Sequence, residues 1–596
     1  MNAAEVRELA DDGQQGGQRA NKSLVVVICF AVTVFLSAFL LFQVQPLISR
    51  FILPWFGGSP AVWTTCMLFF QSVLFLGYTY AHVLVSRLGS RGQMVVHLGL
   101  LAAAAAVLPI TPGPEWKPAG DASPVASILL LLAACVGLPY FALSSTGPLL
   151  QKWFSRCQPD ASAWRLYALS NAGSLLALVT FPFVMEPLVS SPGQTVLWSS
   201  AFLVFAGCCG LCAVLAGRKP DVIQSGELVD ESQSVSTKQR IGWFSLACAA
   251  SVMLLATTNH VCLDIATVPF LWILPLVLYL LSFILTFDSD RWYSRTLFSL
   301  ALLGFSGVAV MMLVAAHVSA VPQMIAHFGA MFCAFMVFHG ELVAARPGTK
   351  HLTQFYLIIS AGGACGGLLI ALLAPVIFPV YLEYPLGLVG CVGYALSMLR
   401  KQRAAKRGVA VSRTHPLQLL IGLLVMAAVL GMGVRMRSLM VLENNVIRNF
   451  YGVLRVETGT VISPPGSGQR AELRQLTHGR TLHGRQFLSD GMRRQPTTYY
   501  TTYGGAGRAM EHVLQGPPRR IGVVGLGVGT LATYGRSGDQ FVMYEINDAC
   551  VQLAQEKFTF LSESAAETEI VLGDARLSME HESSREFDLL VLDAFS

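Results

Sequence analysis

Residues 519–535 read RRIGVVGLGVGTLATYG, and the order of residue types in them decides the fold of the C-terminal end. Two arginines lead into a short apolar run, Ile521 to Val524, of the length of a buried strand. Glycines at 525, 527 and 529 then permit a tight turn and let a ligand approach the backbone closely, with a helix predicted after them. A dinucleotide-binding turn would place glycine at 530, where this chain has Thr530. The spacing is G-x-G-x-G, which suits a nucleoside of the S-adenosylmethionine type, because such a ligand brings no pyrophosphate.

Further along, FVMYEIND predicts a second strand ending in Glu545, about 20 residues past Gly525, where a carboxylate accepts hydrogen bonds from ribose hydroxyls. EIVLGDAR predicts a third strand ending beside Asp574, whose carboxylate could receive an adenine amine. FDLLVLDAFS predicts a fourth, with Asp593 at its carboxyl end, the edge at which open α/β sheets hold ligands. Each acid taken alone reads as a solvated loop carboxylate; four strand ends in register favour a nucleoside site. Upstream, FYGVLRVETGTVISPP, AELRQLTHGRTLHGRQF and LSDGMRRQPTTYY alternate like short hairpins.

Before Arg435 the composition is of another kind. Of the 596 residues, 54% are hydrophobic and 13% charged, against about 25% charged in soluble domains. Mean hydropathy is +0.56. The formal charge of +6 is small and scattered, which excludes a nucleic-acid partner and suits basic residues flanking membrane spans. Taking about 20 apolar residues per span, about thirteen helices are expected, beginning near Leu24, Ala61, Gly92, Val125, Trp164, Gln194, Ile241, Val268, Ser294, Val321, His351, Tyr384 and Leu417. Residues 1–23 are polar and expected to be disordered. The run after them is too long for a signal-peptide core and reads as a retained anchor. Thirteen cysteines lie mostly in apolar runs; Cys208, Cys209 and Cys212 have no His or acidic partners nearby in sequence, so no metal is expected.

Basic residues crowd every second loop: Arg87 and Arg91, Lys152 and Arg156, Arg218 to Arg240, Arg291 and Arg295, Arg346 and Lys350, then Arg400 to Arg413. The positive-inside rule makes those loops and the N-terminus cytoplasmic. An odd span count puts everything after Val434 on the opposite face, away from cytosolic donors. Either one span is miscounted or the domain does not use those donors. YALSNAGSLLAL from Tyr167 and YLIISAGGACGGLLIAL from Tyr356 echo one another at the fifth and eleventh spans, as two parallel six-helix halves would. Recurring small residues at helix contacts are the other reading.

At these residues the chain resembles spermidine synthases, the polyamine aminopropyltransferases, from about Phe450 to Ser596. The part ahead resembles the membrane half of bacterial major-facilitator/spermidine synthase-like fusions, through SNAGS from Ser170, HGEL from His339 and FYLIISAGGACGG from Phe355. The resemblance implies a mixed fold: a polytopic α-helical membrane bundle (24–434), a linker and β-hairpin subdomain (435–515), and an incomplete Rossmann-like, methyltransferase-type α/β domain (516–596). It implies a multi-pass protein of the bacterial inner membrane. Glu545 would hold ribose, Asp574 adenine, and Asp593 would deprotonate the attacking amine, with Tyr500 or Tyr503 as the active-site tyrosine. The donor would be decarboxylated S-adenosylmethionine or S-adenosylmethionine, and the acceptor a polyamine. Three positions depart from the family. Val528 stands where its Asp binds the aminopropyl ammonium, DAFS replaces D-S-S-D, and Gly504 follows Tyr503 in place of a glutamate. Four strands of the usual seven are present, so the domain is expected to be cut short.

Ionisable groups within spans are costly and therefore functional candidates: Asn259, His260 and Asp264, His339 and Glu341, and Glu186. Gln43 and Gln45 read equally as helix-helix contacts. Three readings follow: aminopropyl transfer, S-adenosylmethionine-dependent methyl transfer, or a transporter with a regulatory or vestigial tail.

Overall fold

A computed structural model of the chain describes residues 3–118, 123–158, 164–218, 235–266, 268, 270–314, 318–347, 351–407, 445–462, 470–479 and 481–594, with scattered positions between 416 and 431. Twelve helices stand where the sequence places its first twelve spans. They are α1 Ala3–Phe56, α2 Pro60–Arg87, α3 Ser90–Ala106, α4 Pro124–Cys157, α5 Trp164–Thr180, α6 Ser191–Gly217, α7 Thr237–Ile265, α8 Ile273–Asp288, α9 Arg295–Val314, α10 Ala320–Ala344, α11 Leu352–Leu368 and α12 Glu383–Arg407. Among the described residues, nine helices are long and apolar enough to cross a membrane. Their outer faces are apolar as lipid requires: Phe183 is 76% and Val376 83% exposed. α1 continues backward through the polar stretch for which composition suggested no regular structure. The eighth helix starts at Ile273 and not near Val268, because the chain turns first, with Phe270 at φ 60°.

The internal echo has a structural counterpart. α1 packs on α4, α5 and α6, and α7 packs on α10, α11 and α12. α2 meets α4 as α8 meets α10, and α3 meets α6 as α9 meets α12. The halves join through α5 on α8 and α2 on α11. α5 and α11 each run into a five-residue π-helical turn, Phe181–Met185 and Leu369–Leu373. Small residues explain why the two sequences look alike. A Cβ on Gly173 would stand 2.8 Å from the Phe35 carbonyl oxygen of α1, and one on Gly362 would stand 2.4 Å from the Phe244 oxygen of α7. Only glycine lets these backbones approach so closely.

The polar candidates of the bundle are mostly paired. Arg50 binds Glu186 at 2.6 Å, Arg295 binds both oxygens of Glu341, and Thr64 donates to Asn259 at 2.8 Å. His260 Nδ1 meets Asp264 at 2.9 Å, and His339 Nδ1 meets Ser282 Oγ at 2.9 Å. Cys212 Sγ lies 3.5 Å from Cys29, and no metal-holding group of three His, Cys, Asp or Glu occurs among the described residues.

The C-terminal part forms two small sheets. β1 Val446–Asn449, β2 Gly452–Ile462, β3 Arg470–His478 and β4 Thr481–Phe487 make an antiparallel sheet in sequence order. α13 Gly505–Val513 follows. Then β5 Arg520–Val524, β6 Gln540–Glu545, α14 Asp548–Lys557, β7 Glu567–Leu572, α15 Ala575–His581 and β8 Leu589–Leu592 build a parallel sheet of order β7-β6-β5-β8. β6 and β8 flank β5, so the strand order reverses there.

This part docks on the end of the bundle opposite the basic connections. Ser59, between α1 and α2, donates to the Phe450 carbonyl at 3.2 Å, and Lys117, between α3 and α4, binds Glu580 at 2.6 Å. Arg448 binds Glu383 at the start of α12 at 2.6 Å, donates to the carbonyls of Phe378 and Val380, and lies 4.3 Å from the Tyr381 ring centroid. α12 then runs about 37 Å away at 1.5 Å per residue. Arg407 and Asn445 therefore stand towards opposite ends of the bundle. The thirteenth span falls between them, on residues largely outside those described; Gly422, one that is described, lies against Leu396 and Val392 of α12.

Candidate functional site

The glycine bend sits at the carboxyl end of β5, between Glu545 of β6 and Asp593 beyond β8. Gly525, Gly527 and Gly529 all have positive φ, at 97°, 56° and 78°. At Gly525 the need is steric as well, since a Cβ would stand 2.4 Å from the Asp593 carbonyl oxygen. Gly527 is approached by the His483 carbonyl in the same way, at 2.5 Å, and accepts from the Cys550 thiol at 3.3 Å. After the bend the chain forms a five-residue 3₁₀ segment, Thr530–Tyr534, and not the expected α-helix. Gly535 and Gly538 follow at once, and glycine costs about 1 kcal/mol per helical position.

The acids line up along neighbouring strand ends. Glu545 accepts the Leu526 N–H at 3.1 Å and the Asn547 N–H at 2.9 Å, one on each carboxylate oxygen. Burial pushes its carboxyl above the usual range, against the pull of those donors. Asp574 caps α15, its Oδ1 accepting from Leu577 N at 2.9 Å. Asp593 Oδ2 receives the Tyr500 hydroxyl and, at 3.4 Å, that of Tyr499; the two hydroxyls are 3.0 Å apart. Burial raises the Asp593 carboxyl, and the two phenols oppose that rise. With strands about 4.8 Å apart, the row from Asp574 to Asp593 spans ~14 Å, the reach of a nucleoside with a short side chain.

The structure therefore brings Glu545, Asp574, Asp593, Tyr500 and the three glycines to one sheet edge. Tyr503 stands apart, 86% exposed, and Tyr499 takes the second place beside Asp593. A run of three aromatic hydroxyls at 499, 500 and 503 was the only signal for this, and it does not say which of them turn inward. Tyr451 also escaped the sequence reading. It lies by Gly57 of the bundle and near Asp548, Asp574 and Glu545; burial first, then those carboxylates, push its hydroxyl up to about 12. Val528 is 1% exposed and packs with Leu454, Val456, Leu476, Phe558 and Phe560, in the seam with the antiparallel sheet. A side chain so placed cannot receive an ammonium group. A separate cavity of about 500 Å³ lies at the other end of the parallel sheet, among Arg520, Glu569, Glu582 and Arg585. No protein-family model and no curated protein matches the chain.

Proposed function

We propose that the chain is a membrane-anchored, spermidine synthase-like protein whose C-terminal domain binds a sulfonium nucleoside and passes its aminopropyl group to an amine. The observation that supports this most is that Glu545, Asp574 and Asp593 end β6, β7 and β8 at the same edge of the sheet as the bend of three positive-φ glycines that ends β5. The finer fold, a Rossmann-like methyltransferase-type sheet, belongs to the same proposal. In this reading, decarboxylated S-adenosylmethionine is the donor substrate. The Glu545 carboxylate, held in place by the Leu526 and Asn547 N–H groups, would accept a ribose hydroxyl. Asp574 uses one oxygen as a helix cap, leaving the other for adenine. Asp593 takes the proton of the attacking amine, which forms a C–N bond as the C–S bond breaks and the thioether nucleoside leaves.

The burial of Val528 favours a second reading, methyl transfer from intact S-adenosylmethionine. That donor's amino-acid end carries its own carboxylate beside the ammonium, so it has less need of an acid at 528. Incubating the full chain in nanodiscs with each donor, isotopically labelled, and with putrescine separates the two. Labelled spermidine from the decarboxylated donor alone supports aminopropyl transfer, a methylated product supports the second reading, and transfer from neither refutes both.

A further inference from the structure

The β1–β2 hairpin turns through Phe450 and Tyr451, with Asn449 paired to Gly452 across the turn. Neighbouring strand residues point to opposite faces, and here the two faces meet different parts of the molecule. Arg448 is held on the bundle, by Glu383 of α12 and by the Phe378 and Val380 carbonyls. Asn449 is held on the parallel sheet, its Nδ2 donating to Asn547 Oδ1 at 2.5 Å and to Asp548 Oδ1 at 3.2 Å. Its Oδ1 accepts the Tyr451 N–H at 3.0 Å, so this position needs a side chain that donates and accepts at once. Asn547 is 5% exposed and caps α14, and its own N–H donates to Glu545 Oε1. The turn residues bridge the same two parts. Phe450 packs against the core of the bundle, and a Cβ on Gly57 would lie 3.9 Å from the Tyr451 ring and 3.8 Å from Ile546, the residue after Glu545.

On the proposed role of Glu545 as the ribose acid, we infer that this hairpin ties the nucleoside site to the membrane part, with Asn449 as a positioning residue for Glu545. An unbroken series of contacts runs from Glu383 through Arg448, Asn449 and Asn547 to Glu545. Arg448 and Asn449 are adjacent in the chain, so a displacement of Arg448 by α12 is carried to Asn449. The Leu526 N–H holds one oxygen of Glu545 and the Asn547 N–H the other, and the carboxylate keeps its direction only while both are in place. The bundle then does more than anchor the domain: it sets how firmly the site holds a ribose.

Methylthioadenosine and its deoxyribose analogue, titrated against the full chain in nanodiscs, test this. A hydrogen bond to a carboxylate should give the ribose form an advantage of at least about tenfold in the unaltered chain. Asn449→Asp keeps the acceptor for the Tyr451 N–H and loses the donor to Asn547, so it should cut that advantage to about threefold or less. Glu383→Gln, at the far end of the series, should do the same. Lys117→Ala breaks a bundle contact outside the series and should keep the full advantage. A merely structural loss would weaken both nucleosides alike. Hydrogen exchange of the Asn547 amide reads the same tie without ligand and should quicken several-fold in Asn449→Asp and in Glu383→Gln. Full ribose preference in either of these variants, or its loss in Lys117→Ala, overturns the inference. Absence of binding, or of ribose preference, in the unaltered chain refutes the role of Glu545 instead, and unchanged Asn547 exchange in either variant then overturns the tie.

Discussion

Arg448 and Glu383 form a buried ion pair between the C-terminal domain and the helical bundle. Their side chains are 4% and 3% exposed, and the pair closes at 2.6 Å with further donation to Phe378 and Val380. Removing one partner leaves the other charge buried without compensation, at a cost of about 3–5 kcal/mol. At about 1.4 kcal/mol per factor of ten, Arg448→Met or Glu383→Gln should weaken docking by roughly 10²- to 10⁴-fold. The double variant Arg448→Met/Glu383→Leu removes both charges and replaces them with apolar groups, so it should recover most of the loss. Hydrogen exchange of the full chain in nanodiscs reads this directly, at β1 and at the start of α12. Single variants that change protection by less than about 0.5 kcal/mol, or a double variant that loses the sum of the two, would refute the account of this pair.

Gly525→Ala should destabilise the parallel sheet by at least about 2 kcal/mol, since alanine is strained at φ 97° and its Cβ meets the Asp593 carbonyl. Gly505→Ala, with open space around it, serves as the neutral control in a denaturant titration. Burial holds the His483 imidazole down to about 4 from 6.5, helped by His478 beside it. Its folded value is depressed, so the stability it contributes is complete above pH 6.5 and lost as pH falls toward 4. That is an upper bound of about 3 kcal/mol, and His483→Gln should flatten the acid limb of the stability curve; an unchanged limb counts against the buried placement. Topology reporters fused after Arg407 and after Val434 should report opposite faces, the first cytoplasmic. The same face for both would contradict the docking end described here.

The helical half was legible because the bilayer imposes one coarse rule, about 20 apolar residues per span, and nearly every start falls within a few residues of its expected place. Strand ends were legible for a related reason. An apolar run that stops at Glu545 or Asp593 has only one way to sit in a parallel sheet. What escaped depends on contacts distant in sequence. Nothing near Val528 says that its side chain is claimed by Leu454 and Phe560, and nothing near Tyr451 places it against Gly57. Tyr499 displaced Tyr503 because the direction of each ring is set by packing against Asp593, which lies over ninety positions away. The echo between Tyr167 and Tyr356 has two readings in sequence alone, and the repeated packing of α5 on α1 and α11 on α7 gives its glycines a common purpose.

The central claim is that Gly525, Glu545, Asp574 and Asp593 enclose one nucleoside. Titrating the full chain in nanodiscs with methylthioadenosine tests it most directly, alongside Glu545→Ala. Saturable binding at one site, lost in the variant while hydrogen exchange of β6 stays protected, is the expected result. No binding to the unaltered chain, or equal binding to Glu545→Ala, would contradict it.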